Sequence, residues 1–424
     1  MCVNEWRVLA ADVRVLRELA KRYVDIANAP VMAERRALWY AHNDLKECRP
    51  LVLVESLTDG LRKEIFAGQP LRCQEAWAQD VEDWLRGWVY HHTVMQDDDV
   101  ATPYYPIQWL VDMGSWGVEV KVERGVDAAG GTLGFHWDPP IKDIVRDFDK
   151  LKPRQFTADK VKTLAWKAHL EHVFGDIIPV VIRLPLWWTM GMTWRVIDLI
   201  GLENLMLYMY DEPEALHRLL AYMCDDHMRL VDFCERENLL TLNNEGDYTG
   251  SGSRGWTHDL PQREWKDGDP VRARDMWVLL ESQETVGVSP AMFSEFILPY
   301  QKDLAARFGL VYYGCCEPVN NRWQYIEGLP RLRSASVSPW ANEEVLAEAM
   351  RGKYVYSRKP SPALLSTDRF DEDVVRSDVR HTLAAARGCN VELVMKDLHV
   401  TQGQPQRMAR WVQICRAETA RAGW

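Results

Sequence analysis

Residues 310–317, LVYYGCCE, decide the fold: four apolar or aromatic residues in a row, a glycine, then two thiols and a carboxylate. A short apolar run closed by a turn residue marks a strand buried on both faces, as in a parallel sheet. Working outward, runs of the same texture lie at TPYYPIQWL (102–110), IIPVVIRLP (177–185), NLLTLNN (238–244), MWVLLES (276–282), RSASVS (333–338), KYVYSRK (353–359) and VELVMKD (391–397). Helical periodicity fills the gaps. In DEPEALHRLLAYMCDDHMRLVDFCERE (211–237), Asp211 is placed to cap and Pro213 sits in the first turn. SPAMFSEFILPYQKDLAARF (289–308) is entered through Ser289-Pro290, and DEDVVRSDVRHTLAAARG (371–388) ends at Gly388. Eight such strands alternating with helices close naturally into a (β/α)8 barrel of the TIM type.

The first ninety-odd residues carry helical periodicity almost throughout, from VRVLRELAKRYVDIANAP (13–30) to CQEAWAQDVEDWLRGWVYHHTVM (73–95). They predict an N-terminal helical layer, residues 1–95, packed on a catalytic barrel of residues 96–424. One long irregular segment interrupts the rhythm, NNEGDYTGSGSRGWTHDLPQREWKDGDP (243–270), and long loops in compact domains usually have a function.

With 51 basic against 62 acidic residues the formal charge is -11, which argues against a phosphate-backbone binder, so no nucleic acid is expected. The opening MCVNEWRVLAADVRVLREL reads as a helix rather than a signal peptide, and no apolar run approaches the roughly 18–20 residues of a membrane span. Nine scattered cysteines without framework spacing point to a reducing, cytoplasmic setting. Nineteen tryptophans and fifteen tyrosines, several where strands should end, predict an aromatic-walled pocket for a flat or methylated ligand.

In a parallel barrel the chemistry gathers at the C-terminal strand ends, where the outgoing loops converge. That rule selects Tyr104 and Tyr105, Arg183, Asn243 to Tyr248, Glu281 to Glu284, Cys315 to Glu317, Ser338 to Trp340, Arg358 and Lys359, and Lys396 to His399. Soft thiolate beside carboxylate suits zinc. Adjacent strand residues point to opposite faces, so Cys316 with Glu317 is the preferred metal pair, with His399 as a third ligand and Cys315 as packing. The glycines around Asp247 and Tyr248 let backbone approach a ligand closely. Glu281, Gln283 and Glu284 offer general acids or ligands, with pairing to Arg358 or Lys359 as the alternative. Lys396-Asp397 places a cation and a base at the mouth, or an ion pair that closes the barrel. His91-His92, followed by QDDD, reads as a solvated helix end.

The succession LNNEGDYTGSG, LLESQETVGVSP, YGCCEP, SVSPW, YVYSRKPSP and VMKDLH resembles the uroporphyrinogen decarboxylase-like superfamily, in particular its branch allied to corrinoid-dependent methyltransferases. The resemblance spans roughly residues 95–424 and runs in order along the chain. It implies a (β/α)8 barrel with an N-terminal helical extension. The arginine-rich MRQAGR-type first-strand motif of the decarboxylases is absent, TPYYPIQWL standing in its place. The branch's zinc motif, His-x-Cys plus a late cysteine, is matched here by Gly314-Cys315-Cys316, which keeps Cys316 alone, and by Lys396 to His399, which lacks the final cysteine.

The resemblance implies a methyltransferase component that moves a methyl group between a small methylated compound, an aryl ether or a methylamine, and cobalamin carried by a separate corrinoid protein. Zinc on Cys316, Glu317 and His399 is the implied Lewis acid. Tyr104, Trp187, Trp188, Tyr248 and Trp340 would wall the substrate, Asn244, Gln283 and Arg358 would contact it, and Asp247, Glu284 or Lys396 would handle protons. A metal-independent decarboxylase or lyase using Arg183, Arg358 and Lys396 is the first alternative, and a non-catalytic barrel binding protein the second. The family's barrels are often dimers, so a homodimer is compatible.

Overall fold

A computed structural model describes residues 6–126 and 132–424. Residues 1–5, which begin the first predicted helix and include Cys2, lie outside the described residues. The principal strands, in chain order, are β1 (Leu51–Val54), β2 (Tyr105–Ile107), β3 (Val180–Ile182), β4 (Trp277–Leu280), β5 (Leu310–Tyr313), β6 (Leu332–Val337), β7 (Val355–Arg358) and β8 (Asn390–Met395). Six of them form one parallel sheet in the order β1-β8-β7-β6-β5-β4, and β2 and β3 form a separate parallel pair. Strands β1, β4, β5, β7 and β8 are buried at every position, as strands of a parallel sheet covered on both faces are; β1, β4 and β5 are apolar or aromatic throughout, whereas β7 and β8 also bury Ser357, Arg358, Asn390 and Glu392.

Two departures from the sequence reading are physical. The helical first ninety residues contain β1, which pairs with β8 from Leu51↔Glu392 to Val54↔Met395. Its LVLV run is too short to break the helical periodicity on either side. Conversely, 238–244 makes no ladder: the Asn243 side chain donates to Trp277 O at 3.0 Å and accepts from Trp277 N at 2.8 Å, taking the place of a strand's backbone. The six-stranded sheet is therefore not closed by strand pairing at β4.

The free edge of β1 is satisfied in a similar way. Val52 N donates to Asp98 Oδ2 at 2.9 Å and Val54 N to Asp97 Oδ2 at 3.0 Å, while Asp98 N donates to Val52 O at 2.8 Å. Buried backbone amides must be paired, and these carboxylates do it. Of the QDDD stretch read as part of a solvated helix end, Gln96 is exposed but the three aspartates are buried, Asp97 and Asp98 completely so.

Helices Ala10–Ala27, Pro30–Asn43 and Ala76–Tyr90 make the N-terminal layer. Pro213 begins helix Pro213–Arg236 but Glu212 is its cap position, because Asp211 ends the preceding helix. Ser289 caps as expected. The following run contains a π-helical turn, Phe293–Ile297, just before Pro299, which lacks the N–H an unbroken α-helix would use. Asp371 caps helix Glu372–Ala385, and Gly388 takes a left-handed φ of 82° beyond its end. Among the described residues no helix is long and apolar enough to cross a membrane.

The glycine-rich loop folds inward as a small hairpin, Tyr248–Gly250 against Ser253–Arg254. A Cβ on Gly250 would lie 2.4 Å from the Tyr312 ring, and one on Gly252 2.6 Å from Val394. The glycines therefore let the hairpin backbone approach the protein's own β5 and β8, where the sequence reading had placed a ligand.

Candidate functional site

The C-terminal strand ends carry two chemically different regions. The first follows β5, β7 and β8. Cys315 Sγ lies 3.4 Å from Lys396 Nζ and 3.7 Å from Cys316 Sγ. A hydrogen bond from Cys316 and the Lys396 ammonium hold the Cys315 thiol below the usual thiol range despite its burial. Cys316, half-buried and 3.4 Å from Asp397 Oδ2, is pushed up by its bond to Cys315 and by burial. Cys315, assigned to packing, is buried at 3% exposure, and of the two thiols it is the one held below the usual range.

Behind this pair Glu392 is fully buried. It accepts from Ser253 Oγ at 2.9 Å and from Ser357 Oγ, with His42 Nε2 at 3.4 Å and Lys359 Nζ at 3.9 Å. Against burial, His42 and Lys359 hold it at about 2. Burial brings Lys359 down to about 8, and His42, despite its own burial, is raised to about 9 by Cys48 and Glu392. The hairpin covers this network through Ser253 and through Ser251, whose hydroxyl lies 3.4 Å from Lys396 Nζ.

The expected metal set does not converge here. Glu317 is buried with both carboxylate oxygens engaged, accepting from Ser282 N at 2.9 Å and Cys315 N at 2.8 Å, and His399 is exposed. Cys316, Glu317 and His399 are not among the groups of described residues close enough to share an ion. The residues at this position do not fit the zinc that the resemblance implies.

The second region follows β1, β2 and β3. A cavity of about 420 Å³ is walled by Tyr23, Trp84, Trp88, Tyr104 and Tyr248, with Glu55, Ser56, His91, His92, Asp99, Arg183, Asp247 and Arg254 supplying polar groups. Trp84, Trp88 and His92 recur every four residues on one helix face, and the Trp88 and His92 rings are stacked. At its end helix Ala76–Tyr90 widens into a π-helical turn, His91–Met95. That turn directs both histidines inward: His91 is 2% exposed and His92 6%. The solvated-end reading of His91-His92 is overturned.

His91 Nδ1 is 2.7 Å from Ser56 Oγ, and His91 Nε2 is 3.2 Å from Asp97 Oδ1 and 3.7 Å from Asp99 Oδ2. Arg254 Nε donates to Asp99 Oδ1 at 2.8 Å. Although burial opposes it, Arg254 and the histidines keep Asp99 below the usual carboxyl range. Burial, with His91 beside it, brings His92 down to about 3.

Of the residues selected from sequence, Tyr104, Arg183, Asp247 and Tyr248 line this cavity. Burial and Asp247 raise Tyr104 to about 12, and burial and Glu55 raise Tyr248 to about 12. Asp247 is gripped by Arg183 at 2.9 and 2.8 Å. Trp188 donates from Nε1 to Tyr248 Oη at 3.1 Å, and Trp187 packs against Phe308 outside the cavity lining.

The others lie elsewhere. Asn244 donates to Leu260 O at 2.8 Å, which anchors its loop. Glu284 accepts from Thr193 Oγ1 at 2.6 Å, and Gln283 starts a short 3-10 turn. Arg358 is buried in ion pairs with Glu343 and Asp378, and Trp340 is 74% exposed. Sequence reasoning missed Tyr23, Glu55, Ser56, Trp84, Trp88, Asp99 and Arg254 as cavity residues. The four-residue spacing of Trp84, Trp88 and His92 was the available signal.

Among solved structures, the chain is similar to a methyltransferase from Methanosarcina mazei, 11% identical, over 91% of this chain and 97% of that one, with a TM-score of 0.49. No protein-family model and no curated protein matches it.

Proposed function

We propose that the protein is a methyltransferase component whose small methylated substrate, an aryl ether or quaternary amine, occupies the aromatic cavity. The observation that supports this is the cavity itself. Five aromatic side chains enclose about 420 Å³ beside a set of fixed charges, a chemistry that suits a flat ring or a methylated cation. In this reading the six-stranded sheet, the β2–β3 pair and segment 238–244 are staves of one (β/α)8 barrel. Residues 1–95 cover it, and the cavity sits at its C-terminal mouth.

A cavity of this size would take a small substrate and not a corrin ring, so cobalamin would have to be carried by a separate corrinoid protein and, when bound, would supply the nucleophile for the methyl group. The chain's own residues bind and orient. Trp84 and Trp88 offer ring faces to the methylated group, and Tyr104 with the Arg183–Asp247 pair fixes one side. Tyr248, whose hydroxyl keeps its proton up to about 12 and is oriented by Trp188, donates a hydrogen bond to the departing oxygen. Because Cys316, Glu317 and His399 do not fit zinc, no step is assigned to a metal there.

The decarboxylase alternative needs cations converging on one substrate. Arg183 is committed to Asp247, Arg358 to Glu343, and Lys396 to Cys315 and Asp397, and of the three only Arg183 lines the cavity.

The test is consumption of cob(I)alamin, followed by absorbance, with the full chain and either an aryl methyl ether or a quaternary methylamine. Substrate-dependent loss of the Co(I) spectrum is expected, with KM raised about tenfold or more in Trp88→Ala, in line with the loss of about 1–2 kcal/mol of cation–π or stacking contact. No consumption with either class, or carbon dioxide release from a carboxylated analogue, would sink the reading.

A further inference from the structure

His91, His92 and Asp99 lie in the cavity wall, each offering a ligand atom, and those atoms lie within 4.8 Å of one another. Around one first-row divalent ion, with bonds of about 2.0–2.2 Å, ligand atoms sit roughly 3–3.5 Å apart. The separation between His91 Nε2 and Asp99 Oδ2, 3.7 Å, is already close to that, so side-chain rotation of about an ångström completes the set.

Three independent features point to a ligand here. First, His92 is 94% buried, being 6% exposed, and its Nδ1 has no hydrogen-bond partner among the described residues. Leaving such a buried group unpaired is costly, and an ion in the site would remove that cost. Second, both histidines lie in the π-helical turn His91–Met95 and both are buried in the cavity wall, and π turns are frequent at functional sites. Third, the surroundings orient the ligands. With its proton on Nδ1, His91 donates to Ser56 Oγ at 2.7 Å and leaves Nε2 for an ion. Arg254 grips Asp99 through Nε to Oδ1 at 2.8 Å and more loosely through Nη2 to Oδ2 at 3.4 Å, and Oδ2 is the oxygen that also faces His91 Nε2, at 3.7 Å. Asp97 Oδ1, 3.2 Å from the same His91 nitrogen, is the hydrogen-bond partner the ion would replace.

We propose that His91, His92 and Asp99 bind a divalent first-row transition metal such as zinc or iron(II), with a coordination position left for a ligand in the cavity. Two imidazoles and one carboxylate are a donor set that such ions accept while staying open to substrate or water. The site is separate from the Cys315-Cys316 turn and does not depend on methyl transfer being the reaction.

The test uses the full chain, stripped with a chelator and titrated with Co²⁺ alone, then with Zn²⁺ in competition. The expected result is one equivalent of Co²⁺ with weak ligand-field bands, no thiolate charge-transfer band, and displacement by Zn²⁺. His92→Gln should weaken binding about 100-fold and Ser56→Ala about tenfold, the range for loss of a ligand's supporting contact. Cys316→Ser should leave it unchanged. No stoichiometric Co²⁺ binding, a thiolate band that Cys316→Ser abolishes, or full affinity in a folded His92→Gln would overturn the proposal. If His92→Gln does not fold, the wild-type spectrum decides between nitrogen–oxygen and sulfur ligation. Methyl-transfer activity is not a readout, so its absence leaves this result standing.

Discussion

The two sides of the strand-end surface use similar raw material to opposite ends. On the β5–β8 side, thiols, lysines, a glutamate and a histidine are packed under the 248–254 hairpin, and their charges are spent on one another. On the β1–β3 side, histidines, carboxylates and arginines stand around open space walled by aromatic rings. Reactive residue types thus do not by themselves mark a binding site. What separates the two sides is whether main chain fills the volume in front of them.

The sharpest way to break this contrast is to remove Glu392. Taking one partner from a buried ionic network leaves unpaired charge behind, so Glu392→Gln should destabilise the fold by about 3–5 kcal/mol in urea titrations. The pH dependence carries a sign. The carboxyl is held at about 2 against an ordinary 4.5, so its contribution is complete above pH 4.5 and disappears as pH falls through 2. His42, raised from 6.5 to about 9, contributes fully below pH 6.5 and loses that contribution as pH rises through 9. Wild-type stability should therefore fall between pH 6.5 and 8, before Lys359 sheds its proton near 8, and the fall should be smaller in the variant, where Cys48 alone holds His42 up. A variant as stable as wild type would mean that the packed side is not the structural side.

Next in size is Gly250→Ala. Its Cβ would meet the Tyr312 ring at 2.4 Å, and forcing the hairpin off β5 should cost about 1–3 kcal/mol of stability by the same measurement. An unchanged midpoint would show that the hairpin is free to lift, which would make the packed side a covered site.

The smallest effect concerns thiol reactivity. Lys396→Met removes the cation 3.4 Å from Cys315 that helps hold its thiol below the usual range, and alkylation of that thiol by iodoacetamide at neutral pH, followed by peptide mass spectrometry, should slow severalfold. Preferential labelling of Cys316 in the wild type would reverse the order of the two thiols.

Much of the fold was legible in the residues. The strands β2 to β8 announce themselves as short apolar or β-branched runs between helices, and Ser289 marks a helix start by its cap chemistry. The strand β1 was not legible, because four residues inside a helical texture carry no period of their own. The stretch 238–244 has strand composition, yet the Asn243 side chain takes the place of its backbone at β4.

The site was legible only in outline. An aromatic pocket at the strand ends follows from the tryptophan and tyrosine content and from the topology, and Tyr104, Asp247 and Tyr248 were found by that route. What sequence by itself determined is the inventory: parallel-sheet strands, a helical N-terminal layer, an aromatic wall and several clusters of ligand-type side chains. Only the tertiary structure decided which cluster faces space. Burial of Asp97 to Asp99 depends on the unpaired amides of β1, and the inward turn of His91 and His92 depends on a π-helical widening. The filling of the Cys315 side depends on a glycine hairpin some sixty residues away in the chain. Each is a contact between segments distant in sequence or a local backbone register, and neither leaves a period in the residues from which it could be read.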